Sequence, residues 1–195
     1  MVPTAPPPPP DAGAAPPAEE GTTDLDVFDA LFARALQPTG DFARALKEAG
    51  WDPQQRRARY PMSVWRACVL VACRHAYPEL PEAEALWHLG RRFVGHYLQT
   101  VAGQLVAVGL PLLGPERGLK YLPRAVAAVQ PRLKLVISKL GPRHWRLAVR
   151  EPDPLPGFGA AIVHEALVVA GAREPQVTVA AHDATGWTLE ARWEE

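Results

Sequence analysis

Hydrophobic periodicity along this chain changes once, at Pro131, and that change limits the folds open to it more than any other feature. Before the proline, apolar residues recur at three- and four-residue intervals, as on one face of a helix: Val64, Cys68, Val71 and Ala72 in one segment, Leu86, Leu89, Phe93 and Tyr97 in a later one. Beyond it the period is two. Leu133, Leu135 and Ile137 alternate with Lys134, Val136 and Ser138, and after the Gly141-Pro142 turn Trp145, Leu147 and Val149 alternate with Arg146, Ala148 and Arg150. That is the pattern of an antiparallel hairpin with one buried face. An apolar stretch at 157–170, stopped by Gly171, predicts one more helix, and residues 176–181 and 187–193 a second pair of strands. The expected fold class is α+β: an N-terminal helical layer packed on the apolar face of a four-stranded, mainly antiparallel sheet, with a ββαββ C-terminal half.

Boundary signals divide the helical part. Thr39 suits the N-cap of a short helix over 41–49 that stops at Gly50, with Trp51 folding back on it; Ser63 suits the cap of a helix over 64–75 ended by Pro78. Pro81 in a first turn, with Glu82 and Glu84 complementing the helix dipole, predicts a long helix over 82–100. A buried core helix over 101–113 and a shorter helix over 116–129, broken at Pro123, complete this layer.

The chain has 195 residues, and positions 6–10 are all proline. Residues 1–23, built of Pro, Ala, Gly, Thr and acids, bury too little apolar area to offset their ordering entropy, so a disordered tail is expected there and a single domain over 24–195. Cys68 and Cys73 lie five apart in one helical segment, which points their thiols in different directions and disfavours a disulfide. With no signal-peptide pattern at the N-terminus, a cytoplasmic address follows. The uncharged run 93–113 is interrupted by Gln99, Thr100, Gln104 and Pro111, which argues against a membrane span. Formal net charge is zero, but positions 117–150 hold nine basic residues and no acid while residues 151–195 are acidic again. A balanced chain whose basic block adjoins acids argues against nucleic acid as partner.

No catalytic set emerges. Ser63 and Ser138 are the only serines and neither sits in a nucleophile elbow, the cysteines lie in a helix interior, and His164-Glu165 lacks a second histidine at the zincin spacing. Gly157-Phe158-Gly159 has Ile162 where a dinucleotide-binding turn needs Gly or Ala, and so reads as close helix packing. The strongest polar concentration is on the helix 82–100, where His88, Arg92 and His96 form one stripe, with Arg91 and Tyr97 beside it. Such a stripe is a solvated face or one border of a pocket, in which arginines hold carboxylates and a histidine serves as an axial ligand. No metal site is expected, since no third ligand type is placed by the sequence.

Tyr60-Pro61, Tyr77-Pro78-Glu79-Leu80-Pro81-Glu82 and Leu89-Gly90-Arg91-Arg92-Phe93-Val94, with Thr100 and Gly103 downstream, carry a resemblance. The chain resembles a heavily paralogous, myxobacterial family of proteins of unestablished function, each about the length of a single domain. The match runs from Phe28 to Trp193 and includes Leu113-Gly114-Pro115-Glu116-Arg117; Gln104 stands where many of these relatives carry Arg. That family is in turn distantly similar to vinyl-reductase-type and haem-nitric-oxide-binding domains, which implies a binding module rather than an enzyme. The first expectation is therefore a non-catalytic regulatory or protein-interaction module, with a protein or a second copy as partner and no cofactor. The alternative is a small-ligand or haem-type sensor with a pocket bordered by His88, Arg91, Arg92, His96 and Tyr97 beside the helix 82–100.

Overall fold

The change of periodicity is a change of layer. The computed structural model of the chain describes residues 21–129 and 133–194, so residues 1–20 of the expected tail, and Pro131 itself, lie outside the described residues. Strand β1 (Thr22–Asp24) leads into α1 (Leu25–Phe28), which runs on as a π-helical stretch (Asp29–Leu36). Then come α2 (Gly40–Glu48), β2 (Arg59–Pro61), α3 (Met62–Ala76), α4 (Glu82–Tyr97) and α5 (Val101–Val129). The C-terminal half is β3 (Lys134–Gly141), β4 (His144–Arg150), α6 (Pro156–Val169), β5 (Arg173–Asp183) and β6 (Gly186–Glu194). Its four strands form one antiparallel sheet in the order β3-β4-β6-β5. The fold is α+β with the ββαββ half that the alternation predicts.

Register explains which face is buried. Leu147 pairs with Leu189 and Trp145 with Ala191, so the apolar residues of β4 and β6 meet side by side on one face, and all four are buried. Each fully buried Leu contributes roughly 1.5–3 kcal/mol relative to exposure. This face packs on Ala160, Val163 and Leu167 of α6 and Leu119 of α5. A second group of buried side chains, Phe28, Phe32, Trp51, Tyr60, Trp65, Leu89 and Phe93 among them, fills the space between the N-terminal helices and includes Phe158 of α6. Helix α6 thus belongs to both groups, which is why its sequence is apolar nearly all round.

Glycines set how closely α6 is gripped. A Cβ at Gly90 of α4 would lie 2.7 Å from Ala161 Cβ and 2.7 Å from the Phe158 carbonyl oxygen, and one at Gly157 would lie 2.7 Å from the Ala83 carbonyl oxygen. A Cβ at Gly159 would meet the Trp187 ring at 2.8 Å. The Gly157-Phe158-Gly159 segment is consumed by packing against α4 and β6.

Several boundaries differ from the sequence expectation. Helix α3 starts at Met62 behind Pro61, whose φ of −57° and ψ of 147° set the chain's approach, so Ser63 lies inside the first turn rather than capping it. Thr39 is the N-cap residue of α2 but its side chain makes no capping bond, while Gly50 takes up the stop with φ +106°. The expected break at Pro123 is absent, while the expected boundary between the helices 101–113 and 116–129 is present as a break at Gly114 (φ 72°, ψ 170°). Pro115 is the reason, because a proline disfavours the right-handed helical region for the residue before it. The largest correction concerns the segment 101–113, expected as a buried core helix. Val101 is 83% exposed, Leu105 76% and Leu112 80%. Apolar composition gives a helix a face that can be buried, but among the described residues no element covers this one. None of the described helices is by itself long and apolar enough to cross a membrane, and α4 and α5 meet at 97°.

Candidate ligand cavity

The 97° corner between α4 and α5 is built by a short polar device. Thr100 is buried; its hydroxyl donates to the Tyr97 carbonyl at 2.8 Å and accepts from the Gly103 N–H at 3.0 Å. The second bond is an N-cap for α5. Gly103 is required there, since a Cβ would fall 1.9 Å from the Tyr97 carbonyl oxygen. The turn swings the first half of α5 away from the protein body and leaves a cavity of about 570 Å³ between α4, α5 and α6.

Aromatic rings form one wall of the cavity. Phe93, Phe158 and Trp65 pack in a triangle with centroid separations of 5.5 to 6.0 Å, and Tyr97 stacks on Phe93 at 5.4 Å. Val106, Gly109, Leu110 and Leu113 of α5 face them, and Ile162, Ala166 and Ala170 close the side formed by α6 and the residues after it. Among the described residues no Asp, Glu, Lys, Arg or His lines this space. The lining side chains that carry polar groups are Thr23, Trp65, Tyr97 and Tyr121. Burial pushes the Tyr97 phenol above its ordinary value, and the negative charges of Asp26 and Asp24 push in the same direction. Its hydroxyl is a neutral donor across the physiological range.

Of the five residues singled out on the sequence, Tyr97 alone lines the cavity. His88 stacks on Tyr77 at 5.4 Å. Arg91 pairs with Glu165 of α6 at 2.7 Å, and Glu165 also meets His164 at 3.1 Å. Arg92 donates to the Ala35 carbonyl, near the end of the π-helical stretch, where carbonyls lack helical partners. Gln37 closes that stretch in a left-handed conformation, its N–H bonded to the Phe32 carbonyl at 2.8 Å. His96 is half-buried on α4 outside the lining. The stripe is a continuous helix face whose members serve three neighbours separately, whereas the cavity lies along the apolar flank of Phe93, Val94 and Tyr97. Two sequence signals mark that flank: the Thr100-x-x-Gly103 cap and the uncharged segment behind it.

Elsewhere the ionisable groups are held by local partners. Lys120 and Lys139 both reach Glu116 at 3.0 Å and both sit 5.6 Å from the Trp145 ring. Arg146 at 2.7 Å and His144 at 3.0 Å converge on Glu190 across the outer face of the sheet. Hydrogen bonds from Arg146 and then His144 hold the Glu190 carboxyl down to about 2. Part of the basic block at 117–150 is thus paired with acids. Cys68 and Cys73 are buried free thiols, and burial pushes the Cys68 thiol up to about 12 and the Cys73 thiol up to about 11. Among the described residues no group of three or more His, Cys, Asp or Glu is placed to hold a metal ion.

An α+β architecture of this kind, helices at one side of an antiparallel sheet, is similar to the fold of H-NOX domains. The H-NOX protein from S. oneidensis in the Fe(II)NO ligation state superposes with a TM-score of 0.66 at 12% identity, over 87% of this chain and 98% of that one. An oxygen-binding H-NOX domain related to soluble guanylate cyclases gives 0.62 at 11% identity over 87% and 92%, and the unliganded Fe(II) H-NOX protein from K. algicida 0.59 at 11% over 87% and 94%. At such identities the likeness is one of fold. No curated protein matches the chain in sequence. By sequence it belongs to DUF2378, a family of proteins of unknown function, which it matches over residues 22–194.

Proposed function

We propose that the protein is a small-ligand-binding sensor module whose ligand occupies the cavity between α4, α5 and α6. The observation that carries this reading is the cavity itself, about 570 Å³ and walled by aromatic and aliphatic side chains. That volume lies within the range of small-molecule sites, about 300–1,000 Å³, which are predominantly apolar with a few polar groups to orient the ligand. The structural neighbours support it by analogy of fold, being H-NOX proteins described with oxygen or nitric oxide bound. A module that only docks other proteins would have no use for such a hollow, so the sensor reading takes precedence over the protein-interaction reading. A cytosolic setting suits the two reduced, buried thiols.

Thermal-shift screening of a small-molecule library tests the proposal. Compounds that bind the folded state raise the melting temperature by mass action. The Gly109→Phe variant should lose that response, because a Cβ at Gly109 has open space around it and the ring fills the hollow. A library in which nothing shifts the wild type, or in which hits shift wild type and variant alike, would rule the reading out.

A further inference from the structure

The chemistry of the cavity wall narrows the ligand class, and the narrowing rests on the reading above. A site for haem needs a nitrogen, sulfur or phenolate donor for the iron and cations for the propionates. Among the described residues, which include all six histidines and both cysteines, no His, Cys, Lys or Arg lines the cavity. The arginines of α4 are already engaged, Arg91 by Glu165 and Arg92 by the Ala35 carbonyl. Tyr97 offers only a phenol, stacked on Phe93 and held in its protonated form by burial and by Asp26 and Asp24. The residues present do not fit haem.

The same wall offers a carboxylate no counter-charge among the described residues. An ionised group moved into an apolar space without a counter-charge either stays out or takes up a proton. Hydroxyls at Thr23, Tyr97 and Tyr121 and the Trp65 indole N–H are what the lining side chains offer to a polar ligand atom, and each is uncharged. We infer that the cavity takes a neutral, hydrocarbon-rich molecule carrying at most an uncharged hydroxyl or carbonyl group, and that it holds neither haem nor an ionised lipid. Its complement is the set of aromatic rings on α3, α4 and α6 facing the aliphatic side chains of α5.

A matched pair of probes tests this on the full-length protein at neutral pH. Nile red, a neutral dye that brightens in apolar surroundings, reports occupancy, and decanol and decanoate compete for it with the same chain and different charge. Decanol should displace the dye at a concentration at least about tenfold below decanoate, a difference of 1.4 kcal/mol. Haemin should give no stoichiometric complex. Tyr97→Phe, which keeps the ring and removes the hydroxyl, should weaken decanol several-fold and leave the dye unaffected. Decanoate competing as well as decanol, or a stoichiometric haemin complex lost in Gly109→Phe, overturns the ligand class while leaving the cavity reading intact. Dye binding that is absent, that survives Gly109→Phe in a variant of unchanged far-UV circular dichroism, or that gives way to a dimer on size exclusion defeats both.

Discussion

Gly90 of α4 and Ala161 of α6 approach so closely that a methyl group on the former would lie 2.7 Å from the methyl group of the latter. The two helices are thereby held against each other, and the aromatic wall of the cavity, Phe93 on one and Phe158 on the other, is held with them. Gly90→Ala tests the contact. Helix propensity favours Ala by about 1 kcal/mol, but the clash also involves the Phe158 carbonyl oxygen at 2.7 Å, which backbone cannot yield cheaply. Over-packing of this kind costs about 1–3 kcal/mol, so the urea midpoint should fall; a rise would show that α4 and α6 can separate freely.

Exposure on α5 predicts an unusual tolerance. Val108 is 67% and Leu112 80% exposed, and neither lines the cavity. Replacing either by Ser should change stability by no more than about 0.5 kcal/mol, whereas Leu89→Ala, at a fully buried position, should cost about 2–5 kcal/mol. Chemical denaturation of the three variants side by side decides. A Leu112→Ser loss as large as that of Leu89→Ala would mean that the face is covered.

Glu151 should give the protein a pH-dependent penalty. Burial raises its carboxyl above the ordinary value, against the lowering effects of the Trp187 indole N–H bonded to it and of Arg66 at 4.0 Å. The Nε of that Arg66 is itself buried with no hydrogen-bond partner among the described residues. A carboxyl that holds its proton more tightly when folded than when unfolded, where its value is about 4.3, makes the folded state lose stability as pH rises from there through the folded value. Glu151→Gln removes that slope while keeping an acceptor for Trp187. The stability of wild type minus that of the variant should therefore decline between acid and neutral pH, measured by urea denaturation at several pH values. A difference that grows instead would show that Arg66 outweighs burial.

Glu190 carries the opposite sign. Its carboxyl, held down to about 2 by Arg146 and His144, contributes stability above the unfolded value of about 4.3 that is lost as pH falls through about 2. Carboxyl-carbon NMR should find its titration midpoint well below those of the other glutamates, and Arg146→Gln should move it upward. A midpoint in the ordinary range, or one unmoved by that substitution, would mean that the pair does not persist in solution.

The sheet was legible because β4 and β6 are buried on one face, and alternation such as Trp145-Arg146-Leu147 is the direct imprint of that burial. Gly157 and Gly159 were legible in kind as packing glycines, though not their partners, since contact with Ala83 and Trp187 is fixed by tertiary approach. The cavity was legible only as a pocket beside the helix 82–100; its walls were not. A hollow is made by what fails to touch, and the uncharged segment at 101–113 reads the same whether it is enclosed or swung outward. Its position depends on the Thr100 cap and Gly103, a four-residue device whose consequence is an angle between helices. The partners of the polar residues were not legible either: His88 and Arg92 share a stripe with His96 by spacing, with Arg91 beside it, yet His88 meets Tyr77, Arg91 Glu165 and Arg92 the Ala35 carbonyl.

Because Phe158 sits among the N-terminal helices while Ala160, Val163 and Leu167 sit against the sheet, α6 is braced by both layers, and the cavity runs along one of its remaining sides. Interiors packed at crystal-like density do not absorb displacement gradually. One helix is therefore shared by the two buried groups, and a substitution that shifts it alters the packing of the helices above and of the strands below together.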